Sequence, residues 1–146
     1  MATFWFALAL LAGSLIPFNG ALNARLGAAA GSPIHASMIS FLIGTLAIGV
    51  YALVTRQTVS WSGMAQTPWY GWLGGLCGAF SLTAIILTYP KLGPGLAFGL
   101  VVAGQLAASM VLEHFNILVA ESHPISVLRL AGLGLVLGGV YMIRAF

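Results

Sequence analysis

The chain has 146 residues, 60% of them hydrophobic and 5% charged, whereas soluble domains carry about 25% charge. Five Lys/Arg against two Asp/Glu give a net charge of +3, but the cations stand singly, which excludes the basic patch of a nucleic-acid binder. With mean hydropathy at +1.05 and no polar stretch long enough for a soluble domain, the sequence is that of an integral membrane protein.

The first segment, "MATFWFALALLAGSLIPFNGALNA", imitates a secretory signal by its apolar stretch and small-residue ending. No Lys or Arg precedes that stretch and the remaining chain is equally apolar, so it reads as a retained first span. A membrane helix needs roughly 20 mainly apolar residues. Windows at about 3–23, 33–54, 69–89, 95–118 and 126–145 meet that length. The expectation is an all-α membrane protein with five transmembrane helices in a single domain, 1–146. The intervening "ARLGAAAGS", "TRQTVSWSGMAQTP", "PKLGP" and "AESHPI" carry the Gly, Pro and charge of turns. Trp5, Tyr51, Trp61, Trp69, Tyr70, Trp72, Tyr89 and Tyr141 fall near span ends, where amphipathic rings anchor at headgroups. Pro17 lies inside the first span and predicts a kink there.

Small residues recur at helix-packing spacing: Gly71, Gly75 and Ala79 in the third span, Gly95, Gly99, Ala103 and Ala107 in the fourth, Gly134 and Gly138 in the fifth. Such stripes let helix backbones approach closely in lipid and read as packing seams. Cys77 stands alone in an apolar segment, so the chain can form no disulfide and no cysteine metal cluster; it reads as a small packing hydrophobe. No cofactor or metal site is expected.

Polar residues inside spans are the candidates for function. In the fourth, Gln105, Ser109 and Glu113 recur every four residues and predict a polar stripe on one face. Counted from Gly95 at 1.5 Å per residue, Gln105 is ~15 Å along the helix and Glu113 ~27 Å. Gln105 thus falls near the midplane of a ~30 Å hydrocarbon layer and Glu113 near its boundary. Gln105 can face a solute or hold helices together through its amide. Glu113 can hold a proton, pair with a cation or reach water. His114 is next in sequence but about 100° round the helix. His35 and His123 sit beside prolines at span ends and read as interfacial. Asn19 and Asn23 close the first span, again four residues apart.

Charge hardly orients the molecule. Five spans put the ends on opposite sides, with Arg25, Lys91 and Arg144 on one and Arg56 and Arg129 on the other. A three-to-two split barely invokes the positive-inside rule, so insertion either way up, and pairing of two inverted copies, is the expectation.

The segments "PFNGALNARLG", "SMISFLIGTLAI", "WLGGLCGAF" and "KLGPGLAFGLVVAGQLAASMVLEHF" resemble, in this order, the four leading spans of the YdcZ-like family of the drug/metabolite transporter superfamily. Asn19 stands where that family usually has glutamine, Glu113 where it has aspartate, and Asn116 where it has glycine. The chain differs from the small multidrug resistance family, whose essential glutamate lies in the first helix. The resemblance implies a half-unit that pairs, as an antiparallel homodimer or with a sister protein, into a ten-helix transporter of the inner membrane. Its partners are then the bilayer, that second copy and a small organic solute. On this reading Gln105, Ser109, Asn19 and Asn23 bind substrate, Glu113 and His114 are candidates for proton or cation coupling, and Gly93, Pro94 and Gly95 form a hinge. The competing expectation is a non-transporting membrane subunit whose polar residues only join helices. No Ser/His/Asp arrangement or phosphate loop points to an enzyme.

Overall fold

The computed structural model describes residues 2–119 and 121–146 and is all-helical over them. Helices α1 (Ala2–Ala29), α2 (Pro33–Val54), α3 (Trp61–Ala65), α4 (Gly74–Leu92), α5 (Pro94–His114) and α6 (Val127–Ala145) follow in order, with a 3-10 turn, Trp69–Leu73, leading into α4. Five of the described segments are long and apolar enough to cross a membrane. The chain packs as two compact units, Met1–Pro90 and Lys91–Phe146.

In the first unit, α1 runs through "ARLGAA" to Ala29, six residues past the expected end at Asn23. Alanine adds little hydropathy but is the strongest helix former, so the helix outlasts the apolar window. At 28 residues it is ~42 Å long, more than the hydrocarbon layer, and its last turns reach the headgroups. It stops at Gly31, with φ +64. There Ser32 N donates to Gly27 O at 3.1 Å and Gly31 N to Ala28 O at 3.3 Å, the paired bonds of a Schellman end. Ser32 then caps α2 by accepting from His35 N, and Pro33 supplies the preset φ of a first helical residue. Both Pro17 and Pro90 lie inside helices; Pro90 and Lys91, expected in a turn, belong to the last turn of α4. The expected long connection after α2 holds the short α3, capped by Ser60 through Gly63 N at 3.3 Å.

The helices of this unit meet where α1 ends and α2 begins. Ala36 is fully buried, Asn23, Ser37 and Ile86 nearly so. A Cβ on Gly27 would sit 3.0 Å from the Ile86 side chain and 3.6 Å from Ala36 Cβ, so a larger residue here would have to push Ile86 aside. Elsewhere the unit turns its apolar side chains outward, as lipid allows and water does not.

Between α4 and α5 stands Gly93, at φ 75 and ψ 162, a backbone region essentially restricted to glycine. Pro94 follows as the first residue of α5. In the second unit α5 and α6 form an antiparallel hairpin. A Cβ on Gly95 would meet Ile143 at 3.3 Å and one on Gly99 would meet Val140 at 2.9 Å, and Ala103 is buried on the same stripe. The expected fourth-span seam is therefore a packing seam. Gly75, Gly134 and Gly138 have open space at their Cβ positions, so no close approach is made at these three glycines among the described residues. α5, the fourth span, ends at His114 and not at residue 118, because Asn116 takes φ +52 and closes the helix. Ile117 N donates to Leu112 O at 2.8 Å and Asn116 N to Glu113 O at 3.3 Å. Asparagine tolerates this left-handed conformation, so it can stand in for glycine here.

Candidate functional site

The polar residues fall into two sets, one in each unit. In the first, Asn23 is buried and its Nδ2 donates to Asn19 O at 2.9 Å and Asn19 Oδ1 at 3.2 Å. Its carboxamide is thus spent on holding Asn19, while Asn19 itself is exposed. Asn19 lines a recess of about 380 Å³ with Ser40, Phe41, Thr45 and Leu82. Nearby, the hydroxyls of Ser37 and Thr83 meet at 2.8 Å and tie α2 to α4. Ser37 and Thr83 were not among the candidates, since an isolated Ser or Thr on a helix commonly bonds its own backbone, as Thr88 does to Ala84 O at 2.8 Å.

In the second unit the expected stripe divides. Ser109 and Glu113 line one recess of about 370 Å³, together with Leu106, Met110, Arg129 and Leu133. Gln105 is not part of it. Four residues turn a helix by 400°, so each step drifts 40°, and Gln105 lies about 80° from Glu113. Its side chain is exposed at the middle of α5, and among the described residues its amide has no hydrogen-bond partner. Ser109 Oγ donates to Gln105 O at 2.9 Å and Leu106 O at 3.2 Å, leaving only lone pairs for anything in the recess.

Glu113 Oε2 pairs with Arg129 Nη2. Pairing with a cation is one of the roles open to Glu113 in the sequence, and Arg129 supplies that cation. Both charges are on the unfavourable ends of their own helices, a carboxylate at the C-terminus of α5 and a guanidinium in the first turn of α6. The loop is fastened around them: Arg129 Nη1 donates to His123 O at 2.8 Å, His123 N to Glu113 O at 3.3 Å, and Ile125 N to His114 Nδ1 at 3.2 Å. His114 therefore fastens the loop through its Nδ1. Arg129, counted in the sequence only as a surface charge, is the residue that was missed. Its signal was there, since an arginine three residues into a span needs a counter-charge and, of the chain's two carboxylates, Glu113 is the one that also lies inside a span at that end.

A multipass helical protein with polar groups inside its spans and paired charges at a span boundary carries the kind of intramembrane polar positions that mark functional sites in membrane proteins. Residues 4–142 match the family described as "Putative inner membrane exporter, YdcZ", and the chain belongs to that family. It is an inner-membrane protein of an exporter family, which is not an enzyme class. No curated protein and no solved structure matches the chain.

Proposed function

We propose that the chain is one half of a secondary transporter that exports a small organic solute by alternating access, completed by an inverted copy of itself or a sister protein. The observation that carries this reading is Gln105. Its amide stands ~15 Å along α5 from Gly95, at the depth of the bilayer midplane, without a partner among the described residues. An unpaired amide in hydrocarbon costs several kcal/mol. A second chain or a solute must therefore supply its hydrogen bonds, and the midplane of an inverted-repeat pair is where such transporters hold their substrate. Ser109, one turn further along α5, extends the polar face from Gln105, and Asn19, held by Asn23, is a separate polar position in the first unit. Coupling through Glu113 requires a proton or cation to part it from Arg129.

The second reading, a subunit that transports nothing, draws its support from the same ion pair, which by itself accounts for Glu113 as a joint between α5 and α6. The two are separated by vesicles reconstituted with purified protein and loaded with a panel of labelled organic cations, zwitterions and acids. Wild-type protein is expected to speed efflux of at least one solute over protein-free vesicles. Gln105→Leu, with its thermal transition unchanged, is expected to lose about tenfold or more, the equivalent of ~1.4 kcal/mol of hydrogen bonding. Efflux of no solute, or an undiminished rate in Gln105→Leu, overturns the role given to this residue.

A further inference from the structure

The polar residues discussed so far leave one large recess unused. Phe18, Ala21, Leu22, Arg25 and Ala28 recur at three- and four-residue spacing along one face of α1, and with Tyr89 and Pro90 of α4 they line a recess of about 550 Å³. Its body is apolar, and Phe18 and Leu22 are each 67% exposed. The alanines between them keep the floor low. Its single charge is at one end: Arg25 lies ~33 Å along α1 from Thr3, just past the ~30 Å hydrocarbon layer, at headgroup depth.

Arg25 is exposed, and among the described residues no carboxylate pairs with it. The chain has only two acidic residues, and Glu113 is taken by Arg129. We infer that this face binds an anionic phospholipid, its phosphate on the Arg25 guanidinium and one acyl chain along Phe18 and Leu22. A long apolar groove with cationic charge confined to its headgroup end matches the two halves of such a lipid. Neither a free phosphate, which has nothing for the groove, nor a neutral lipid, whose own cation opposes Arg25, complements both.

The test is native mass spectrometry of the detergent-purified full chain, titrated with phosphatidylglycerol or phosphatidylcholine of identical acyl chains. Phosphatidylglycerol is expected to be retained about fivefold better, the ratio that one interfacial arginine supplies. Arg25→Gln should erase that preference, Arg25→Lys should keep most of it, and Arg56→Gln, which removes a cation outside the groove, should leave it intact. Ala21→Phe, filling the floor, should weaken both lipids. Equal retention of the two lipids by the wild type overturns the inference. So does an equal loss in Arg25→Gln and Arg56→Gln, which would mean diffuse surface charge, or displacement of the lipid by millimolar inorganic phosphate, which would mean an ion site. None of these readouts depends on transport, so the groove and the proposed transport stand or fall separately.

Discussion

Glu113 and Arg129 are sixteen residues apart in sequence, yet they form the ion pair that closes the α5–α6 hairpin. Each charge opposes the dipole of its own helix and is stabilised by the other. Their side chains are 28% and 32% exposed, so the pair is partly screened by whatever surrounds it. A double-mutant cycle over Glu113→Gln and Arg129→Gln is expected to give a coupling of about 1 kcal/mol, the upper end for partly exposed pairs. Each single variant should be destabilised, because it leaves one charge facing an unfavourable dipole. Additive effects in denaturant unfolding would remove the pair from the account of how the hairpin is held.

At the other end of the hairpin the backbones approach at Gly99. With Val140 Cγ2 2.9 Å from the place of a Cβ, even Gly99→Ala must push Val140 aside. Gly99→Leu is expected to cost about 1–3 kcal/mol in unfolding free energy, the range for overpacking, and Val140→Ala to restore part of it. Gly104 is the control. Nothing lies within 4 Å of its Cβ position, so Gly104→Ala should be neutral or stabilising by up to about 1 kcal/mol. A Gly99→Leu protein as stable as wild type would show that this seam does not determine the hairpin.

The contrast between these two ends explains what could be read from the sequence. Five spans were legible because hydrophobic length alone defines them, and the fourth-span seam because small residues recur at fixed spacing. The extension of α1 to Ala29 was not legible by hydropathy, since alanine contributes propensity and little else. Glu113 stood out as an acid in an apolar run. Its partner Arg129 was legible only as a cation just inside the next span, sixteen residues on, and the turn that brings the two together depends on a left-handed residue, Asn116, which is no glycine. A four-residue period is not 3.6, and the accumulated drift takes Gln105 out of the recess that Ser109 and Glu113 share.

Asn116 makes a prediction of its own. At φ +52 it closes α5 where the helix must turn towards the loop. Asn116→Gly should leave stability unchanged or slightly raised. Asn116→Ala should lower it by about 1 kcal/mol, because a Cβ that cannot hydrogen-bond locally pays the left-handed penalty. Thermal unfolding in detergent measures both. Should alanine be tolerated as well as glycine, this residue does not hold the helix end in its left-handed turn.

The inverted pair in the proposed transporter requires that chains insert both ways up. Arg25, Lys91 and Arg144 fall on one side of a five-span chain, Arg56 and Arg129 on the other. The pairing of Arg129 with Glu113 does not alter this count, because carboxylates contribute little to orientation. A tag fused after Phe146 is therefore expected on both faces of the membrane, detected by impermeant labelling of intact cells and of inverted vesicles. Adding two or three lysines beside Arg144 should collapse that distribution to a cytoplasmic tag, whereas the same lysines beside Arg56 should drive the tag outside. If wild-type chains label from one face alone, a homodimer of inverted copies cannot form. Gln105 would then find its hydrogen bonds in a solute or in a different protein.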